Sequence, residues 1–96
     1  MVFVGSVDSS VYALDARSGR QVWKFSTDNQ VTSSPAVLDG AVYLGSVDGN
    51  VYSLDARTGA LRWRFRTGGP VTSSPVVGKG VVYIGSTDHH LYALAA

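Results

Sequence analysis

Acidic, hydroxyl and imidazole side chains are the first candidates for chemistry in these 96 residues. Asp8, Asp48 and Asp88 stand 40 residues apart, and Asp15 and Asp55 repeat the same interval. Paired carboxylates suit general acid–base work. A group that returns at a fixed interval serves every repeat alike, however, and these read as turn formers whose oxygens accept backbone N–H groups. Ser33, Ser34, Ser73 and Ser74 recur as well, with no His–Asp set beside them to make a nucleophile. The better binding candidates break the repeat. His89 and His90 stand where Ser9–Ser10 and Gly49–Asn50 stand elsewhere. Neighbouring histidines in a turn point apart and no third ligand accompanies them, so the pair reads as a solvated turn unless copies converge in a symmetric oligomer. Arg62, Arg64 and Arg66, with Lys24 on the equivalent segment, form a basic stripe. It fits an acidic partner or a phosphate, or a solvated edge. The "VDGN" of residues 47–50 lacks the further oxygen ligands of a calcium loop. The expectation is that no residue is catalytic, holds a metal or holds a cofactor.

Composition narrows the partners. A net charge of +1 with 16% charged residues makes no field that calls for nucleic acid or a membrane surface. Cysteine is absent, which excludes disulfides, thiolate metal sites and thiol catalysis. No apolar run approaches the roughly 20 residues of a membrane helix. The opening "MVFVGSVDSS" has neither a basic start nor a continuous apolar stretch and does not read as a signal peptide. Localisation is left unknown by these features, and both ends read as lying inside a continuing pattern.

That pattern is a repeat of 40. Aligned without gaps, residues 1–40 and 41–80 agree at 22 of 40 positions, and residues 81–96 follow the first sixteen of each unit. "GSVD", "GSVD" and "GSTD" mark the beat, and "VTSSP" returns at Val31–Pro35 and Val71–Pro75. Each unit reads as four short strands. "AVYLGS" suits a strand covered on both faces. "VYSLDA" is the second. "LRWRFRT" alternates, with Leu61, Trp63, Phe65 and Thr67 on one face and three arginines on the other. "VTSSPVV" is the fourth, placed at a sheet edge because proline cannot donate to a ladder. No segment has a helical period, so the meanders are antiparallel. Four-stranded sheets at this spacing make β-propeller blades with the small-residue edge at the axis. With "VTSSP" as strand A, the predicted fold is all-β, in the order BCD-ABCD-ABC: about two and a half blades in one domain, with repeat 1 at 1–40, repeat 2 at 41–80 and a partial repeat 3 at 81–96.

"ALDARSGRQVW" (residues 13–23) and "SLDARTGALRW" (residues 53–63) are the longest shared stretches. An indole on an apolar strand face can stack on the adjacent blade and donate its N–H to a carbonyl. Asp15, Gly19 and Trp23, and likewise Asp55, Gly59 and Trp63, are therefore the expected blade-docking residues. This spacing resembles the tryptophan-docking motif of pyrroloquinoline-quinone-type β-propellers, with Ser53 in place of the usual Ala. The resemblance covers essentially the whole chain and implies a bacterial propeller whose motif belts one blade to the next. Such a family holds quinone-dependent alcohol and glucose dehydrogenases, outer-membrane assembly lipoproteins and sensor domains of kinases, and it implies an extracytoplasmic or periplasmic parent protein. The dehydrogenases use a calcium-binding acidic and amide set, a catalytic Asp and often a vicinal disulfide, none of which has a counterpart here. The expected function is a non-enzymatic binding or assembly scaffold that forms homo-oligomers through blade–blade packing, with strand-swapped forms open because residues 1–16 and 81–96 compete for the same place in a ring, and with no cofactor. A protein or small ligand at a propeller rim is a further expected partner. A segment of a quinone-dependent dehydrogenase, or of a kinase sensor domain, is the alternative.

Overall fold

The structure, a computed structural model, describes residues 1–96. The strands are β1 (Val2–Gly5), β2 (Ser10–Leu14), β3 (Gln21–Ser26), β4 (Ala36–Leu38), β5 (Ala41–Gly45), β6 (Asn50–Asp55), β7 (Leu61–Arg66), β8 (Val76–Gly78), β9 (Val81–Gly85) and β10 (Leu91–Ala95). They form three antiparallel sheets: β1-β2-β3, then β4-β5-β6-β7, then β8-β9-β10. No helix is present, so none is long and apolar enough to cross a membrane.

Local chemistry fixes the hairpins. Asp39–Gly40 and Lys79–Gly80 have positive φ at both residues. This is the two-residue turn whose twist matches the flanking strands. The β5–β6 loop closes through the Gly49 N–H on the Ser46 carbonyl, 3.1 Å, with Gly49 at φ 95. Gly49 is replaced by Ser9 and His89 in the equivalent loops, and both keep a positive φ, 79 and 72.

Two strand expectations are corrected. The fourth strand lies at a sheet edge, as β4 and β8, but it is shorter than expected: both begin only after Pro35 and Pro75, so "VTSSP" itself precedes them. Single bonds replace a ladder here: the Val31 and Val71 N–H groups donate to the Ser6 and Ser46 carbonyls at 3.0 Å each, and hydroxyl side chains supply the rest. The Ser33 hydroxyl donates to the Gly45 carbonyl (3.1 Å) and accepts the Gly45 N–H (3.0 Å), and Ser73 treats Gly85 the same way (2.8 and 3.0 Å). The Ser34 N–H reaches across to the Ser74 hydroxyl at 2.9 Å. Small hydroxyl residues supply both the room and the hydrogen bonds that proline removes.

Second, the alternation of "LRWRFRT" is interrupted. Leu61 pairs with Leu54, but Trp63 pairs with Ser53, so Arg62 is an extra residue at a bulge and Leu61 leaves the face of Trp63. The same slip between Ala13 and Leu14 displaces Val22 on β3.

The middle sheet is covered on both faces. Val11, Ala13 and Trp23 of the first sheet pack on Val42, Leu44, Tyr52 and Leu54. On the other side Ala41 and Tyr43 meet Val82, and Val51 meets Ile84, with Trp63, Tyr92 and Leu94 packed around them. The outward faces of the end sheets are bare. Val2 and Val4 are 48% and 41% exposed, whereas Val42 and Leu44, their equivalents one repeat on, are 0% exposed.

Candidate functional site

The connection from β6 to β7 is a tight turn. Asp55 organises it: its carboxylate accepts the N–H groups of Arg57 (2.8 Å) and Thr58 (3.2 Å), while its carbonyl accepts that of Gly59 (2.8 Å). These backbone donors lead the Asp55 carboxyl to sit below its ordinary pKa. The turn leaves Gly59 at φ 77, a left-handed conformation that suits glycine. The absent side chain has a second consequence. A β-carbon at Gly59 would lie 2.6 Å from the Trp23 ring, so the indole of the first sheet rests directly on the backbone of the second. The Trp23 indole N–H donates to the Ala56 carbonyl at 2.9 Å, and Phe3 lies against the ring at 5.8 Å between centroids. Trp23 is 7% exposed. One side chain thus spans the two sheets by stacking, burial and a directed hydrogen bond.

The first repeat builds the same turn. Asp15 accepts the N–H groups of Arg17 (2.8 Å) and Ser18 (3.2 Å), its carbonyl accepts that of Gly19 (2.8 Å), and Gly19 sits at φ 73. Nothing lies within 4 Å of where its β-carbon would be. Trp63 is the reverse case, an indole with no turn over it. It is half-buried, lies 6.1 Å from Tyr43 between ring centroids, and lines an open cleft of about 470 Å³ with Leu38, Tyr43, Ser53, Arg62 and Ala96. The structure therefore joins Trp23 to the Asp55–Gly59 turn and leaves Trp63 and the Asp15–Gly19 turn apart.

A second device is not apparent from the strand pattern alone. The tyrosines four residues after the repeating aspartates, Tyr12, Tyr52 and Tyr92, each donate their hydroxyl to Asp8, Asp48 and Asp88 respectively. The other carboxylate oxygen accepts the backbone N–H two residues on, at 3.0, 2.9 and 2.9 Å. Asp48 and Asp88 also accept an N–H from the preceding repeat, from Asp28 at 3.1 Å and Gly68 at 2.8 Å, and so tie neighbouring sheets at one rim. The Tyr92 hydroxyl, with Gly68 and His90 N–H groups against a smaller opposing effect of burial, lowers the Asp88 carboxyl to about 2. Burial, then the Asp48 hydrogen bond, pushes the Tyr52 hydroxyl up to about 12. The signal was the D-x-x-x-Y spacing, in which alternation brings the tyrosine back beside the turn it follows.

The remaining candidates do not converge. His89 is exposed in its turn, and the His90 Nδ1 lies 3.4 Å from Asp88 with no further ligand. No three His, Asp or Glu side chains group to hold a metal. Arg62, Arg64 and Arg66 are exposed along β7, and Lys24 lies 5.7 Å above the Tyr12 ring. Pyrroloquinoline quinone and its calcium do not fit these residues: the repeating carboxylates are committed to tyrosine hydroxyls and backbone N–H groups, and they are spread over three sheets.

Comparison with known proteins accords with this architecture. Residues 7–96 match the family model described as outer membrane protein assembly factor BamB. Among solved structures, a quinohemoprotein alcohol dehydrogenase from Pseudomonas putida HK5 is 30% identical with a TM-score of 0.87, over 97% of this chain and 17% of that one. BamB from Moraxella catarrhalis is 29% identical with a TM-score of 0.85, over 97% of this chain and 30% of that one. The computationally designed Ika4 protein, 19% identical with a TM-score of 0.86 over 97% of this chain and 58% of that one, shares the fold. No curated protein matches the chain. The chain spans under a third of the length of these two natural structures. It belongs to the BamB family of pyrroloquinoline-quinone-type β-propeller proteins.

Proposed function

We propose that this chain is a non-enzymatic assembly module that associates with copies of itself through its uncovered blade faces. The observation that carries the reading is the contrast between equivalent valines and leucines. Val42 and Leu44 are fully buried between sheets, while Val2 and Val4 face solvent in the first sheet, and Tyr83 and Leu91 do so on the far side of the last (45% and 75% exposed). A blade is apolar on both faces, and repeat architectures are stable when each face has a neighbour. Rotational copies supply that neighbour by the same contacts the chain already makes internally. The non-catalytic part of the reading is supported by the use of every repeating carboxylate in a turn or a tie between sheets. The family description names the outer membrane, which supports an extracytoplasmic setting. Light scattering behind a sizing column tests the proposal: a mass that is a multiple of 10.1 kDa is expected, and a cooperative monomer at that mass overturns it.

The likeness to the quinohemoprotein dehydrogenase favours a second reading, a segment of a quinone-dependent enzyme. Titration with pyrroloquinoline quinone and calcium separates the two. Saturable, calcium-dependent binding supports the second, and the absence of binding supports the first.

A further inference from the structure

Three features of the first sheet lack the partner that the same features have elsewhere in the chain. The Val2–Val4 face is bare where Val42 and Leu44 are covered. Gly19 has open space where Gly59 carries an indole. Asp8 accepts no N–H from a preceding repeat, where Asp48 and Asp88 do. The complementary features all lie at one place, the side of the middle sheet that faces the last: Tyr43 and Val51 on its face, Trp63 in its cleft, and the Gly68 N–H at its rim.

We infer that the first sheet of one copy seats on this side of the middle sheet of the next, with β1 pairing to β8 and the β9–β10 hairpin leaving its place. This rests on the self-association proposed above and specifies its geometry. The result is a composite blade of four strands, β8 from one copy and β1-β2-β3 from another. Residues 81–96 act within a single chain as a stand-in for residues 1–16 of a second copy. The two segments share the Gly-Ser, Asp, Tyr-Ala-Leu and final Ala positions, so β1 and β2 reproduce the contacts of β9 and β10. They add what the hairpin lacks. The Asp15–Gly19 turn covers Trp63 as Asp55–Gly59 covers Trp23, the Ala16 carbonyl becomes the acceptor for the Trp63 indole, and β3 supplies a fourth strand. Gly68 transfers its N–H from Asp88 to Asp8. Simple stacking of the last sheet's outer face on a second copy covers Val2 and Val4 as well, but it leaves Trp63 and Gly19 as they are. The exchange meets all three features.

The register makes the inference testable in a chain with no native cysteine. Val77 pairs with Val82 in the single chain. In the composite blade it pairs with Val2, the residue that stands where Val82 stands. Cross-strand α-carbons lie about 4.5–5.5 Å apart, within disulfide reach. V2C and V77C chains are unfolded together, refolded as a mixture and oxidised. A mixed disulfide dimer in high yield, with neither variant forming one alone, is the expected result. The V77C/V82C chain serves as the reference, because its intrachain disulfide reports the hairpin in place. If the wild-type chain is oligomeric but only the intrachain disulfide forms, the exchange is overturned and self-association stands. A wild-type monomer overturns both. Gly19→Ala gives an independent reading, with Gly40→Ala as its control, since both glycines have a positive φ and open space in the single chain. A methyl group pressed on Trp63 is expected to weaken association of Gly19→Ala by about tenfold or more relative to Gly40→Ala. Equal effects count against the docking of this turn.

Discussion

At the scale of single residues, the two tryptophans have the same motif and different circumstances. Trp23 is buried, hydrogen-bonded to Ala56 and laid on Gly59, whereas Trp63 is half-exposed in a cleft. Trp23→Ala is expected to cost about 3–5 kcal/mol, a large part of the roughly 5–15 kcal/mol that holds a domain of this size. Trp63→Ala, measured in dilute solution by urea unfolding, is expected to cost less than half as much. Equal losses would show that Trp63 is as fully packed as its counterpart. The glycines divide the same way. Gly59→Ala meets both the positive-φ penalty, about 1–2 kcal/mol, and overpacking against the indole, about 1–3 kcal/mol. Gly19→Ala meets only the first in a single chain. His89 offers a gain. Its φ of 72 lies in the left-handed region that Gly49, at φ 95, adopts freely in the equivalent loop. Relief of about 1–2 kcal/mol of left-handed strain, less about 0.4–1 kcal/mol for a looser unfolded chain, leaves His89→Gly more stable by about 0.8 kcal/mol at the middle of these ranges. An unchanged or lower urea midpoint would count against this balance.

At the scale of elements, the sheets are tied by charge as well as by packing, and pH reads the tie. The Asp88 carboxyl is lowered to about 2 in the folded chain, and those of Asp8 and Asp48 are lowered too. A depressed carboxyl contributes stability in full above its unfolded value, about 3.9, and loses it as pH falls through the folded value. Melting temperature is therefore expected to fall between about pH 5 and 2. Tyr92→Phe removes the hydroxyl that lowers Asp88 most, so its melting temperature should depend less on pH in that window; an equally steep acid limb would show the pair to be immaterial. The Tyr52 hydroxyl has the opposite sign: raised to about 12, it contributes stability below about pH 10 that is lost above. Much of this level was legible in the sequence. The 40-residue beat and the shared eleven-residue stretches mark the sheets and their connections. What escaped follows from rules that a single strand does not display. The bulge at Arg62 depends on β6 as well as β7. The "VTSSP" segment meets its neighbouring strand through the Ser33 and Ser73 hydroxyls on the Gly45 and Gly85 backbones, where the residue pattern reads as a strand. The aspartate–tyrosine pairs emerge once alternation and the turn are considered together.

At the scale of the whole molecule, protection from solvent rises toward the centre of the chain and falls toward its ends. β5 is buried along its whole length and β6 along all but its last residue, while β1 and β10 alternate between half-buried and exposed and lie at the open edges of their sheets. Local opening is least costly where few apolar contacts and many solvent-facing backbone groups coincide. In a dilute sample, amide hydrogen exchange is expected to be slowest in residues 41–55 and fastest in residues 1–9 and 86–96. Concentration then distinguishes what the ends do. On assembly through a composite blade, β1 gains a ladder partner in β8 and the bare Val2–Val4 face gains a neighbour, so residues 1–9 become slow. Residues 86–96 leave their sheet and become faster than in the single chain. Stacking without exchange slows both segments together. Because β9 and β10 must leave before a second copy can enter, the protection of residues 1–9 should also develop more slowly after concentration than diffusion allows. Exchange followed by mass spectrometry across a dilution series reads all of this in one experiment. Protection that stays the same at every concentration in both end segments would mean that the open faces remain uncovered, and that three sheets stand without a partner.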